Sequence, residues 1–298
     1  MKVTSLRDIP ELPPGEAPAR RVAIGTFDGV HLGHREVIAG NDTVLTFEPH
    51  PLSVLRPDAK PQLVMPIAIK RDVIAGLGVD ELVVIPFDRD FSLRSADEFA
   101  ERVLVSQLGA TCVSVGQNFH FGRDAAGTPD FLRSRPEFES RVVQLIEIGG
   151  QPVSSSRIRA LLADGDVREA AELLGGPFMI EGPVVHGEKR GRELGYPTAN
   201  VVPPQGLVAP ANGVYAAWAN GLPAAVNVGV RPTFQSSLGP LIEAYLLDFE
   251  GDLYGQTLRI AFAERLRGEQ RFDSVEQLVE QMGADVEQAR RITAAGFA

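Results

Sequence analysis

The sequence predicts an α/β domain followed by a smaller domain of consecutive antiparallel strands. Three observations carry this. Apolar runs alternate with helical patterns as far as residue 174, the order expected of a parallel sheet whose strands are joined by helices. The triplet Gly175-Gly176-Pro177 then interrupts the pattern and marks the domain boundary, dividing the chain into 1–174 and 175–298. Beyond it, short strands follow one another through connections rich in Gly, Pro and Asn, which suggests a small barrel or sandwich.

In the first half the expected strands are Arg21–Thr26, Thr43–Phe47, Glu81–Pro86, Thr111–Gly116 and Arg141–Ile148. Pro66–Leu77 reads as a helix ended near Gly78. Ser95–Leu108 reads as another: Ser95 and Glu98 have capping-box spacing, and Phe99, Val103 and Leu104 form an apolar stripe. Two short helices, Ser156–Ala163 and Asp166–Leu174, close this half. In the second half the strands are Phe178–His186, Thr198–Val202, Val214–Ala219, Ala224–Val230, Leu241–Phe249 and Thr257–Leu266. Turn signals stand at Asn212-Gly213, Asn220-Gly221 and Arg231-Pro232. The tail from Ser274 is helical, with Gln277 completing a capping box and Leu278, Met282 and Val286 forming a stripe.

At 298 residues, 44% hydrophobic and 23% charged, the chain is long enough for two cores. A net charge of −10 argues against a general nucleic-acid or anionic-membrane binder. It does not argue against a nucleotide, whose phosphates are held by local donors and a metal ion. The single cysteine, Cys112, lies in an apolar run and reads as a buried structural thiol, so neither an intrachain disulfide nor a cysteine metal cage is expected. The N-terminus has no signal-peptide pattern and no apolar run approaches the ~20 residues of a membrane span, so the expected location is the cytoplasm. Oligomeric state is not legible.

The chemistry concentrates first in Gly25-Thr26-Phe27-Asp28-Gly29-Val30-His31-Leu32-Gly33-His34, which follows a strand and opens a helix. Unpaired N–H groups at a helix start suit phosphate, and Gly25, Gly29 and Gly33 allow close backbone approach. His31 and His34, three apart, share a helical face and would donate to the charge that builds on a triphosphate under attack at the α-phosphorus. An H-x-x-H pair alone is more often incidental, and for zinc the spacing is wrong and a third ligand is missing. Taken whole, the string resembles the H-x-G-H signature of the nucleotidylyltransferase superfamily, and GTFDGVHLGH resembles its FAD-synthesising branch.

That resemblance implies roles for further segments. Ser154-Ser155-Ser156-Arg157-Ile158-Arg159, otherwise simply a capped helix start, matches the family's serine–arginine loop, so Ser155, Ser156 and Arg157 would contact the distal phosphates of ATP. Thr46-Phe47-Glu48-Pro49-His50-Pro51 and Val115-Gly116-Gln117-Asn118-Phe119-His120-Phe121-Gly122 end the second and fourth expected strands, where such folds place ligands. Asn118 would hydrogen-bond substrate or phosphate. The chain departs from the family pattern at Gln117, in place of glutamate, and at His120, where arginine is frequent. The stretch from His34 to Thr43 is also short, leaving a first helix of about two turns.

In the second half, Gly187, Lys189, Arg190, Gly191, Arg192 and Gly195 make a basic glycine loop, a composition that alone usually means a solvated turn. It leads into Pro197-Thr198-Ala199-Asn200, which resembles the signature of riboflavin kinases. By that resemblance Gly187, Lys189, Gly191, Gly195, Pro197, Thr198 and Asn200 bind ATP and flavin, and the oxygens of Thr198 and Asn200 hold Mg²⁺ jointly with the phosphates. Glu243 interrupts an apolar strand, which is costly unless the charge is paired, exposed or working. The resemblance makes it the general base that takes the proton of the riboflavin 5′-hydroxyl.

The resemblance spans about Arg21 to Arg290 and is to the bacterial bifunctional riboflavin kinase/FMN adenylyltransferase family, also called FAD synthetases. It implies a Rossmann-like nucleotidylyltransferase domain, then a six-stranded antiparallel β-barrel kinase domain with a C-terminal helix. Its substrates and products would be riboflavin, FMN, FAD, ATP, ADP and pyrophosphate, and its cofactor Mg²⁺ with ATP. Two alternatives stay open at this point. One is a riboflavin kinase with a degenerate first module. The other is a flavin-binding regulator without turnover.

Overall fold

The computed structural model describes residues 1–187, 191, 194–229, 240–294 and 296. The first half is built on a six-stranded, wholly parallel sheet: β1 (Lys2–Ser5), β2 (Arg20–Ile24), β3 (Thr43–Glu48), β4 (Glu81–Pro86), β5 (Ala110–Gly116) and β6 (Glu139–Val143). The strand order is β1-β4-β3-β2-β5-β6. β3, β4 and β5 are almost continuously buried, as strands covered on both faces must be, and this is why their sequences read as apolar runs rather than alternations. The edge strand β1 has no such signal and is not legible beforehand; it is four residues, half of them exposed, recruited by parallel pairing with β4.

The helices of this half are α1 (Leu32–Ile38), α2 (Pro51–Leu55), α3 (Ile67–Gly76), α4 (Arg89–Ser92), α5 (Ala96–Glu98) and α6 (Pro129–Arg133). The capping box at Ser95 and Glu98 forms in both directions. Beyond it the helix is not the regular α-helix expected: Phe99–Gln107 widens to a π-helix, with Leu108 N–H bonded to Val103 carbonyl at 3.0 Å. α1 is seven residues long, the two turns its short sequence allows.

The second half is a closed barrel of β9 (Phe178–Val185), β10 (Ala199–Val201), β11 (Gly213–Ala219), β12 (Leu222–Gly229), β13 (Leu241–Leu246) and β14 (Thr257–Arg267), ordered β10-β13-β12-β11-β14-β9. A two-stranded ribbon, β7 (Glu147–Ile148) with β8 (Gln151–Pro152), stands before it in the chain, where the sequence suggests one strand running on to Ile148. Of the expected turns, Asn220-Gly221 forms a two-residue hairpin between Ala219 and Leu222, with φ of +47° and +84°. Both residues must be left-handed for that turn, which Asn and Gly permit. Arg231-Pro232 lies outside the described residues. The C-terminal helix, labelled α9 here (Val275–Thr293), is capped by Ser274, while Gln277 reaches the N–H of Asp273 rather than that of Ser274.

Two compact units emerge, 1–61 with 67–154, and 62–66 with 155–298. The helices α7 (Ser155–Asp164) and α8 (Val167–Leu174), placed before the boundary by the sequence pattern, thus cluster with the barrel. α8 buries Val167, Ala170, Leu173 and Leu174 and packs on β9 and β14. Leu162 carbonyl accepts from Ala211 N–H at 2.9 Å and Asp164 carbonyl from Arg265 at 3.2 Å. Gly175 is therefore a left-handed cap at the end of α8 inside this unit. A fragment of residues 155–298 should melt cooperatively, and one starting at Gly175 should melt lower by about 5 °C or more, because it loses that apolar layer. Calorimetry of the two fragments checks this; equal midpoints would show that α7 and α8 contribute nothing to the barrel.

Candidate active sites

In the first unit the chain runs from β2 to β3 and β4 on one side, then returns to β5 and β6 on the other. Adjacent connections at β2 and β5 therefore diverge, which opens a crevice beyond the carboxyl ends of these strands. The loop after β2 carries Gly25 to His31, and the turn after β5 carries Asn118. Asn118 is exposed there, its carbonyl 3.0 Å from His120 Nδ1; Gln117 and His120 are exposed beside it.

Gly25 N–H donates to Leu45 carbonyl at 3.2 Å, pinning the loop to the neighbouring strand. Phe27 and Val30 are left-handed, at φ +47° and +42°, and Gly29 lies between them at +91°. Left-handed backbone at a β-branched valine is rare and costs roughly 1–3 kcal/mol, so surrounding contacts must impose it. Phe27, Val30 and Asp28 are all buried. The Thr26 carbonyl receives two donors, Lys70 Nζ at 2.8 Å and Thr46 Oγ1 at 3.2 Å, and Arg35 Nε donates to Val30 carbonyl at 3.2 Å.

His31 caps α1: its Nδ1 accepts the His34 N–H at 3.3 Å, so in the neutral ring the proton resides on Nε2. The His31 and His34 rings stack at 3.6 Å and 17°, and Phe27 meets His34 edge-on at 5.4 Å. Gly33, in α1, lies against the His31 ring, and a Cβ there would stand 3.3 Å from it. Burial pushes His31 down to about 4; His34 is lowered well below the usual histidine range by burial first, then by His31 and Lys70. Both rings are thus neutral near pH 7 rather than fixed cations. Sequence reasoning missed Lys70 and gave no role to Thr46. The signal for Lys70 was a lysine on the inner side of α3, one turn before buried Ile74.

Ser155, Ser156 and Arg157 begin α7 and are described with the second unit. Arg157 is half-buried and paired with Glu169 at 2.7 Å.

On the barrel, Asn200 of β10 and Asn227 of β12 flank Glu243 of β13 in register. Ile242 and Ala244 point into the buried interior, so Glu243 faces the other side of the wall, where Asn227 Nδ2 donates to its Oε2 at 3.3 Å. Thr198 and Asn200 are half-buried on either side of buried Ala199. A Cβ at Gly187 would lie 2.3 Å from Asn200 Nδ2, so the backbone there rests on that side chain and a larger residue would displace it. Gly191 carbonyl accepts the N–H groups of Leu194 and Tyr196 at 3.1 and 2.8 Å. Gly195 and Pro197 are exposed; Lys189, Arg190 and Arg192 lie outside the described residues. Tyr196 stacks edge-on with Tyr245 at 5.3 Å. Among the described residues no three His, Cys, Asp or Glu gather as a metal cage. The hydroxyl of Thr198 and the amide oxygen of Asn200 are hard oxygens of the kind that would suit Mg²⁺ shared with phosphates.

The depressed affinity of His31 has a signed consequence. Between about pH 6.5 and 4 the unfolded chain binds a proton at this position and the folded chain does not, so stability is retained above that window and lost as pH falls through it. Relative to His31→Gln, the wild-type free energy of unfolding should fall by about 3 kcal/mol from pH 7 to pH 4. Denaturant titrations of both proteins at the two pH values test this; parallel behaviour would mean that His31 is not buried as a neutral ring.

The Flavokinase family profile, riboflavin kinase, matches residues 174–293, and the FAD synthetase profile matches residues 15–157. The protein named bifunctional riboflavin kinase/FMN adenylyltransferase in Pseudomonas fluorescens is 39% identical over 91% of this chain and 92% of its own length. Proteins of the same name are 37% identical in Escherichia coli (strain K12), over 90% and 91%, and 36% identical in Bacillus subtilis (strain 168), over 91% and 91%. A crystal structure described as a macrolide-efflux protein from Streptococcus pneumoniae superposes with a TM-score of 0.85 at 32% identity, covering 97% of this chain and 99% of that one. Likeness of fold transfers no activity, and among the described residues no helix is long and apolar enough to cross a membrane. Matched end to end by such relatives, the chain belongs to the bacterial bifunctional riboflavin kinase/FMN adenylyltransferase family.

Proposed function

We propose that the barrel site phosphorylates riboflavin with Glu243 as general base, and that the crevice site adenylylates FMN with His31 and His34 as donors. The family carries both activities: riboflavin and ATP give FMN and ADP, then FMN and a second ATP give FAD and pyrophosphate. The observation that carries the kinase assignment is the row Asn200–Glu243–Asn227. It sets a carboxylate, one oxygen already held by an amide, beside the Pro-Thr-Ala-Asn segment. The free oxygen of such a carboxylate suits it to take the proton of the riboflavin 5′-hydroxyl as that oxygen attacks the γ-phosphorus. Gly187, Lys189, Gly191, Gly195 and Pro197 are assigned to binding ATP and flavin. Mg²⁺, held by Thr198 and Asn200 with the phosphates, would neutralise charge on the transferring group.

In the crevice, a phosphate oxygen of FMN attacks the α-phosphorus of ATP and pyrophosphate leaves. The His31 tautomer puts its Nε2–H forward as a donor to the developing charge, and stacking fixes the ring. Gly25, Phe27, Asp28, Gly29 and Gly33 shape the phosphate-receiving loop. Asn118 stands across the crevice, and Ser155, Ser156 and Arg157 are assigned to the distal phosphates. We place the functional boundary at Gly175, each reaction keeping its motif residues on one side of it.

Chromatography of flavins after incubation with Mg-ATP separates this reading from a kinase with an idle first module and from a non-catalytic flavin binder. The expected product from riboflavin is FAD; FMN alone or unchanged riboflavin are the other two results. Glu243→Gln should slow riboflavin phosphorylation by about a hundredfold or more while supplied FMN still becomes FAD. Replacing His31 and His34 together by Ala should do the converse, by a similar factor. A chelator in excess should stop both reactions and added Mg²⁺ should restore them; activity that persists under chelation removes the metal role of Thr198 and Asn200.

A further inference from the structure

Lys70 is a buried lysine with no part in the chemistry assigned above. It is 5% exposed, on α3, and its ammonium lies under the loop that ends in His31. A lysine is almost never buried for packing alone, because removing an ammonium from water costs several kcal/mol, and an apolar side chain of similar length fills the same space without that cost. Nor is Lys70 needed to satisfy the Thr26 carbonyl. The Thr46 hydroxyl already donates to it at 3.2 Å. The ammonium adds a second, charged donor at 2.8 Å to the same oxygen.

What the ammonium addresses is local to one turn of chain. It bonds the carbonyl of Thr26, while the carboxylates of Asp28 and Glu48 favour its charge. Thr26 immediately precedes Phe27, one of the two left-handed non-glycine residues in the loop. Phe27 in turn meets the ring of His34 edge-on at 5.4 Å. Burial lowers the proton affinity of Lys70, and the Asp28 and Glu48 carboxylates oppose this.

We propose that Lys70 is a positioning residue for adenylyl transfer: it clamps the Thr26 carbonyl from below, holding Phe27 left-handed and the His31–His34 pair in place to receive the triphosphate. The inference rests on the reading of the histidine pair as the adenylyl-transfer site. It adds a residue that touches neither substrate and acts only through the backbone it fixes. A misplacement of about 1 Å in donors of this kind costs up to a hundredfold in rate.

The test uses the full chain. Lys70→Met keeps length and removes the charge; Lys70→Arg keeps the charge; Lys70→Gln keeps a neutral donor. FAD formation from FMN and Mg-ATP is followed as kcat and KM for ATP, riboflavin phosphorylation is the internal control, and the melting midpoint reports the fold. Lys70→Met should lower kcat/KM for ATP in FAD formation by about tenfold or more, with riboflavin phosphorylation within about twofold of wild type and the midpoint retained. Lys70→Arg should recover part of the loss. FAD formation by Lys70→Met within about twofold of wild type overturns the proposal. So does collapse of the midpoint and of both activities in Lys70→Met and Lys70→Gln alike, which would assign the lysine to the fold alone. The His31→Ala/His34→Ala double variant is run beside them. If it still makes FAD, the site reading fails on its own account, and the clamp falls with it.

Discussion

The left-handed backbone at Phe27 and Val30 has a cost that nearby contacts must offset, and the proposed adenylyl-transfer site depends on how they do so. Neither residue adopts that conformation freely, and Val30 least of all. Three kinds of contact impose it: buried side chains at Phe27 and Val30, hydrogen bonds to the Thr26 and Val30 carbonyls, and the pairing of Gly25 with β3. With the loop so fixed, His31 arrives at the start of α1 with its Nδ1 committed to the backbone. One hydrogen bond then decides which nitrogen of the ring faces outward, and stacking on His34 decides its plane. The chemistry assigned to the histidines follows from backbone constraint more than from their intrinsic acidity, since burial keeps both neutral.

The barrel reaches its site by register. Closure through six strands removes free edges and fixes which residues stand side by side. A slip of one residue in β13 would exchange Glu243 for Ile242 or Ala244, moving the carboxylate into the interior and an aliphatic group to the outer face. The apolar residues that alternate with Glu243 therefore hold it at the surface as firmly as its hydrogen bond to Asn227 does. Here the core pattern and the catalytic assignment are one constraint, because the same alternation that buries Ile242, Ala244 and Leu246 presents Glu243 and Tyr245 on the opposite face.

Much of this was legible in the sequence because it rests on local rules. The strands of the barrel are short alternating or apolar runs between turn residues, and their ends match the expected ones closely; the Asn220-Gly221 hairpin follows from the φ values those residues tolerate. Ser95 and Ser274 announce their helices by side-chain oxygens. What was not legible depends on distant partners. β1 exists because β4 offers an edge, and nothing within Lys2–Ser5 reveals it. The widening of Phe99–Gln107 leaves no mark in an apolar stripe that reads as an ordinary helix. Lys70 lies 44 residues from the carbonyl it bonds, and only folding brings them together. Asn227 and Glu243 meet likewise across a strand pair whose register no local pattern states. The separation of α7 and α8 from the first unit has the same cause: their helical pattern continues the strand–helix alternation, but the apolar face of α8 packs on β9 and β14 and α7 packs on α8.

The short first helix shows how far such distant anchoring reaches. With seven residues, α1 has little surface with which to stabilise the loop before it, and by length alone the departure from the family pattern would predict a loosened site. The anchors are elsewhere. Thr46 belongs to β3, Lys70 to α3, and the partner of Gly25 is again β3. The His31 cap, the His34 ring against Phe27 and Arg35 come from the start of α1, the part that shortening leaves intact. Residues removed from the far end of α1 would have extended its packing on the sheet without touching Thr26, Phe27 or Asp28. The loop geometry is thus insulated from the length of the helix that follows it, which is why a chain with a short α1 keeps His31 and His34 stacked at its start.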